Sequence, residues 1–156
     1  MTIDATDIRI LMTLQEDSGI SNLALSEKIN LSPSPTLARV KQLESNGVIS
    51  RYVALVDPIQ LGLKVNVFIH VSLEKQESAT LAKFEKAVSR FSEVMEVYLM
   101  TGEEDYLLRV VVSDIQALEQ FILNHLTKIP GIKNIRSSFA LKQVKYKTAL
   151  PLDALE

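Results

Sequence analysis

The chain has 156 residues, 47% of them hydrophobic and 23% charged, with a formal net charge of −2 and no cysteine or tryptophan. That is a globular mixture, and the length allows one ordinary domain or two small ones. Lack of cysteine excludes disulfides, Cys-ligated zinc, iron–sulfur clusters and thiol nucleophiles, and His70 and His125 stand far apart, so no metal or cofactor is expected.

The N-terminal region reads as three short helices. Ile8, Leu11, Met12 and Leu14 recur at helical spacing, with Asp4 as N-cap and Gly19 beyond the end. Ser21 caps a second helix carrying Leu23, Leu25 and Ile29. The third is expected to start with Ser34 as N-cap and Pro35 at N1, because proline disfavours helical geometry in the residue before it. Gly47 supplies the C′ position that ends it. Leu37, Val40 and Leu43, with Thr36, fall on one side of this helix. Ser34, Ala38, Lys41, Gln42 and Ser45 fall on the other, flanked by Arg39.

Charge follows the same division. Residues 1–27 carry five acids against one base, whereas residues 28–51 carry Lys28, Arg39, Lys41 and Arg51 against Glu44 alone. A small polar face with cations at its margins suits the major groove, and the short connection between helices two and three fits a helix-turn-helix. So few cations bind DNA weakly in one copy, which calls for at least a dimer. Residues 48–56 alternate weakly, as a wing or linker strand would.

Beyond Asp57-Pro58 and Gly62 the texture turns to β alternation. A strand over 65–71 precedes a helix over 78–91, then strands over 94–101 and 105–112. A second helix starts near Ser113, whose spacing to Gln116 suits a capping box, and a final strand runs over 132–145. The order βαββαβ describes an α+β fold with a ferredoxin-like C-terminal half and both helices on one sheet face. Phe68, His70, Tyr98 and Met100 then lie on the uncovered face, which predicts association with a second subunit.

No catalytic constellation or phosphate-binding glycine loop is found, and no enzyme activity is expected. The apolar runs, broken by Asn66, His70 and Arg109, fall short of the roughly 18–20 residues of a membrane span. Met1-Thr2-Ile3-Asp4 does not read as a signal peptide, so a cytoplasmic, nucleoid-associated protein without membrane contact is expected. The acid-rich turn Thr101-Gly102-Glu103-Glu104-Asp105-Tyr106 suits a small zwitterion: glycine admits backbone N–H groups to a carboxylate, and Glu104 or Asp105 pairs with an ammonium.

These residues resemble the Lrp/AsnC (leucine-responsive/asparagine, feast–famine) family of transcription factors. The resemblance rests on Asp4 and Asp7 before Ile10-Leu11, on Leu31-Ser32-Pro33-Ser34-Pro35 leading to Arg39-Val40-Lys41-Gln42-Leu43-Glu44, and on Gly47-Val48-Ile49. It rests equally on Thr101 to Leu108 and on Ile129-Pro130-Gly131-Ile132. It implies a winged helix-turn-helix over 1–51, a linker over 52–63 and an effector and oligomerisation domain over 64–156. It also implies dimers assembling further, to an octamer, with an amino acid bound between dimers. DNA contacts carried over are Ser34, Thr36, Arg39, Lys41, Gln42 and Arg51. Effector contacts carried over are Leu99, Thr101, Gly102, Glu104, Asp105, Tyr106, Ser138 and Phe139, whose apolar members suggest leucine or methionine. The competing reading is a ferredoxin-like small-molecule-binding or enzymatic oligomer whose helical N-terminus binds no DNA.

Overall fold

The computed structural model describes the backbone of residues 2–155 and the side chains of residues 2–153. Two compact units emerge. The first runs to Leu55 and includes the chain from Val144 onward; the second spans Val56–Gln143. The segment from Val144, expected within the effector domain, therefore groups with the helices: Gln15 Nε2 donates to Leu150 O at 3.3 Å and Gln15 Oε1 accepts from Leu150 N–H at 2.7 Å.

In the first unit, α1 (Ala5–Glu16), α2 (Asn22–Lys28) and α3 (Pro33–Ser45) pack around Ile10, Leu25, Ile29 and Leu43. Asp4 caps α1 through a reciprocal box with Asp7, and Ser21 caps α2 through the Ala24 N–H. Asn30, at φ 56°, ends α2; its N–H donates to Glu27 O and the Leu31 N–H to Ser26 O. That pair of bonds is a Schellman closure, and it turns the chain toward α3. Gly47, at φ 73°, ends α3 in the same way, with Gly47 N–H on Glu44 O and Val48 N–H on Leu43 O.

Helix α3 begins two residues before the expected start, with Ser32 at the N-cap and Pro33 at N1. Pro35 then sits at N3. The first four helical N–H groups have no intrahelical acceptor, so two prolines there cost no ladder bond. From Ser50 onward the run expected as a wing or linker strand lies unpaired and exposed, with Val53 56% and Leu55 61% accessible, while Ile49 packs on the helical core. An extended run without a ladder partner does not become a strand. Tyr52 folds back on α3 by donating to Glu44 Oε1 at 2.8 Å, and burial, then that carboxylate, push its phenol up to about 12.

The second unit is a four-stranded antiparallel sheet in the order β2-β3-β1-β4, with β1 Val65–Leu73, β2 Val94–Leu99, β3 Tyr106–Val112 and β4 Ile132–Phe139. Helices α4 (Ser78–Val88) and α5 (Ile115–Asn124) supply Phe84, Val88, Leu118 and Phe121 to the core formed with Val67, Ile69, Val71, Leu108 and Val110. The alternation of β1 and β3 makes this possible, since every second residue points to the helices. Asp114, rather than Ser113, caps α5, accepting from the Ala117 N–H at 2.8 Å while Ser113 Oγ donates to it at 3.0 Å. Strand β4 stops at Phe139, short of the expected residue 145.

Candidate functional sites: the α3 face and the β2–β3 loop

On α3, the side chains of Ser34, Lys41 and Gln42 are exposed and make no hydrogen bond or ion pair among the described residues. Arg51 is likewise exposed. Two carried-over residues behave differently. Thr36 is 0% exposed and its Oγ1 donates to Ser32 O at 2.9 Å, so its side chain is withdrawn from any outer face. Arg39 Nη1 reaches Asp4 Oδ2 and Asp7 Oδ1, each at 2.8 Å. The Asp7 side chain is 3% exposed, so one guanidinium neutralises a buried carboxylate and pins α3 to the start of α1. The bond to Asp7, then that to Asp4, raises the Arg39 pKa; the Asp7 N–H, then Arg39, lowers that of Asp4. Leu37, expected inside, is 43% exposed and joins the outer flank.

The loop between β2 and β3 is not equally open along its length. Thr101 and Gly102 form an exposed tip, and Gly102 adopts φ 123°, a left-handed-side conformation that favours glycine. Asp105 is 7% exposed. Its Oδ2 accepts from the Leu73 N–H at 2.7 Å and its Oδ1 from Gln76 Nε2 at 2.5 Å. Both oxygens thus accept a hydrogen bond inside the protomer, a structural duty that the reading of this carboxylate as an ammonium partner did not anticipate. Tyr106 is 1% exposed, packs at a tilt against Phe84 at 4.6 Å and donates to Glu85 Oε1 at 2.7 Å; burial, then Glu85, raises its pKa. Its side chain belongs to the core.

Glu104 remains half-buried at the edge of the open sheet face. Its Oε1 pairs with Arg136 Nη2, and its Oε2 lies 3.9 Å from His70 Nδ1. Sequence reasoning missed Arg136 as a site neighbour. Only the register places it there, with His70 opposite Leu107 on β3 and opposite Arg136 on β4. The open face continues with Phe68 beside Arg109 and Ser138, Tyr98 beside Leu107, and the Arg109–Glu96 pair at 3.1 Å.

Leu99 is 60% exposed and pairs with Tyr106 at the loop end of β2. Ser138 and Phe139 do not join it within one chain. They sit on the opposite edge strand, Phe139 opposite Val67, whereas the loop end of β1 is Val71, opposite Tyr106. Four residues along a strand is roughly 13 Å, with further strand spacings to cross. Ser138 and Phe139 also face opposite sides of the sheet, as adjacent strand residues must.

Neither region contains a nucleophile paired with a base, and no helix among the described residues is long and apolar enough to cross a membrane. Residues 3–50 match the winged helix-turn-helix DNA-binding family, and residues 66–150 the Lrp/AsnC ligand binding domain. The chain is similar to the Bkd operon transcriptional regulator of Pseudomonas aeruginosa, 44% identical over 150 residues, 96% of this chain and 98% of the relative. A transcriptional regulator from Neisseria meningitidis, solved with L-methionine, superposes with a TM-score of 0.94 at 41% identity, covering 99% of this chain and 100% of that one. An AsnC family transcriptional regulator from Agrobacterium tumefaciens gives 0.93 at 43%, covering 98% and 99%. With both halves matched in the same order over nearly the whole length, the chain belongs to the Lrp/AsnC family of DNA-binding transcriptional regulators.

Proposed function

We propose that this protein is an amino-acid-responsive transcriptional regulator that reads duplex DNA through the outer face of α3. The observation that carries the reading is the free outer face: Ser34, Lys41 and Gln42 have no intrachain duty among the described residues, although the neighbouring Arg39 has two. Side chains of this kind hydrogen-bond phosphates and base edges, and Leu37 offers an apolar contact to a thymine methyl. Arg51 extends the contact to a phosphate. Thr36 contributes packing, and Arg39 orients the helix.

The effector of this proposal is a small apolar amino acid such as leucine or methionine. The regulator from Neisseria meningitidis crystallised with L-methionine supports the class. Thr101 and Gly102 are the loop groups free to meet it; Glu104, paired with Arg136 through Oε1, accepts the ammonium on Oε2, and the tip backbone meets the carboxylate. Leu99 lines the loop side; Ser138 and Phe139 enter only from another copy, as a site between dimers requires. Dimers assembling to an octamer would supply that copy and multiply the weak DNA affinity of one α3. Effector and DNA are coupled if the ligand prefers one assembly over the other. A DNA-bound regulator of this kind works in the cytoplasm.

Two measurements test the reading. Lys41→Ala should weaken operator binding and reduce the slope of log K against log salt by about 1 per contacting copy. An unchanged slope would remove Lys41 from the phosphates. In a thermal-shift screen of the amino acids, the effector should stabilise the protein by about 2.7 kcal/mol at a hundredfold excess over its Kd. Glu104→Gln should lower the ligand-free Tm only slightly, since the Arg136 pair it weakens is partly exposed, but lose most of that shift, because the ammonium partner becomes neutral. A full ligand shift in this variant would exclude Glu104 from the site.

A further inference from the structure

The helical side of the second unit holds a concavity of about 330 Å³ that the sheet, the loop and α3 do not use. Lys83 and Phe91 form one wall; Asn124, His125 and Lys128 form the other, with Ile129 beneath. Every charged side chain lining it is a lysine; no carboxylate is among the lining residues.

The two lysines have no structural duty that accounts for them. Three and four residues either side of Lys83 stand Ala79, Thr80, Lys86 and Ala87; around Lys128 stand Asn124, His125, Gly131 and Ile132. No acid occupies the helical positions where an ion pair forms. Neither lysine makes an ion pair or hydrogen bond among the described residues. Nor do they cap the helix-end carbonyls, three of which have other donors. Val88 O accepts from the Phe91 N–H, Phe121 O from the His125 N–H, and Leu123 O from Thr127 Oγ1. Full lysine charges also outweigh the partial negative charge of a helix C-terminus.

The apolar wall is pre-set. Phe91 packs at a tilt against His125 at 5.0 Å and meets Phe121 edge-on at 5.6 Å, which fixes its ring before anything binds.

We propose that this concavity binds a small apolar carboxylate that lacks an amino group. Its carboxylate lies between Lys83 and Lys128, and its aryl or alkyl body rests on Phe91 and Ile129. An α-amino acid is disfavoured because nothing acidic lines the site to receive an ammonium. The chemistry is complementary to that of the β2–β3 loop, where the carboxylate of Glu104 is the proposed ammonium partner.

Phenylacetate is the probe, measured on the full-length protein by saturation-transfer NMR and calorimetry, with L-phenylalanine as the control. We expect a Kd on the order of a millimolar, typical of a small fragment. L-Phenylalanine should bind there at least roughly tenfold more weakly. Lys83→Gln with Lys128→Gln should weaken phenylacetate about tenfold. Ala87→Phe, which fills the concavity without altering a charge, should abolish binding, and unchanged thermal melting identifies variants that fold. Saturating methionine should leave the phenylacetate signal in place. Absence of binding, equal binding by the folded lysine variant, or displacement by methionine would overturn the proposal.

Discussion

Arg39→Ala should destabilise the helical unit by about 2 kcal/mol, read as an earlier thermal or urea transition of that unit. The figure sits below the roughly 3–5 kcal/mol of breaking a fully buried pair, because the Arg39 and Asp4 side chains are 34% and 50% exposed and water screens them. What remains is the Asp7 carboxylate, 3% exposed and left with only the Asp4 N–H as partner. A small unit is sensitive to a loss of this size. DNA binding should fall with the fold.

Asp7→Asn separates this reading from direct DNA contact. If Arg39 positions α3, freeing its guanidinium should destabilise the unit and weaken DNA binding. If Arg39 holds a phosphate, removing its competing carboxylate should leave DNA binding intact or tighter. There is also an acid signature. Asp4 has a lowered folded pKa, so its stabilising contribution is present above its unfolded value and is lost as pH falls through the folded one. Arg39→Ala should move that loss to higher pH.

Asp105→Ala should act on folding before it acts on ligand. The substitution leaves the Leu73 N–H, at a 5% exposed residue, and the Gln76 amide without their acceptor. An unsatisfied buried donor, added to the loss of a charge-assisted bond, costs about 2–4 kcal/mol. The second unit should melt earlier, and any loss of amino-acid response should track that melting. Asp105→Asn keeps the shape and one acceptor oxygen, so it should cost less. A stable Asp105→Ala protein that had lost only its ligand shift would return Asp105 to the effector contacts.

Much of the architecture is legible in the chain. Alternation in residues 65–73 and 106–112 points one set of apolar residues to a helical layer, and the order of strands and helices restricts the sheet to a split βαβ topology. Asp4, Ser21 and Gly47 act where their local chemistry says they should, because caps depend on neighbours three or four residues away. The start of α3 is misread for a local reason too. The restriction on residues before proline is outweighed where the helix has no hydrogen bond for proline to remove.

The functional side chains are less legible, because a residue's type states what it can bond and not what has already claimed it. Arg39 reads as a groove-facing cation, and in the folded chain its guanidinium is held by carboxylates 35 and 32 residues away. Asp105 reads as an ammonium receptor, yet it closes on a backbone N–H 32 residues earlier. Glu104, one position before it, meets Arg136 because the β4 register brings that residue beside His70.

By itself, then, the sequence determined the two-part organisation, the polar outer face of α3 and the glycine-tipped loop, since these follow from short-range periodicity and turn chemistry. Only the tertiary structure decided which ionic groups remain free for DNA or ligand. Strand register and helix packing bring distant charges within bonding range, and burial commits some of them to the fold before any ligand arrives.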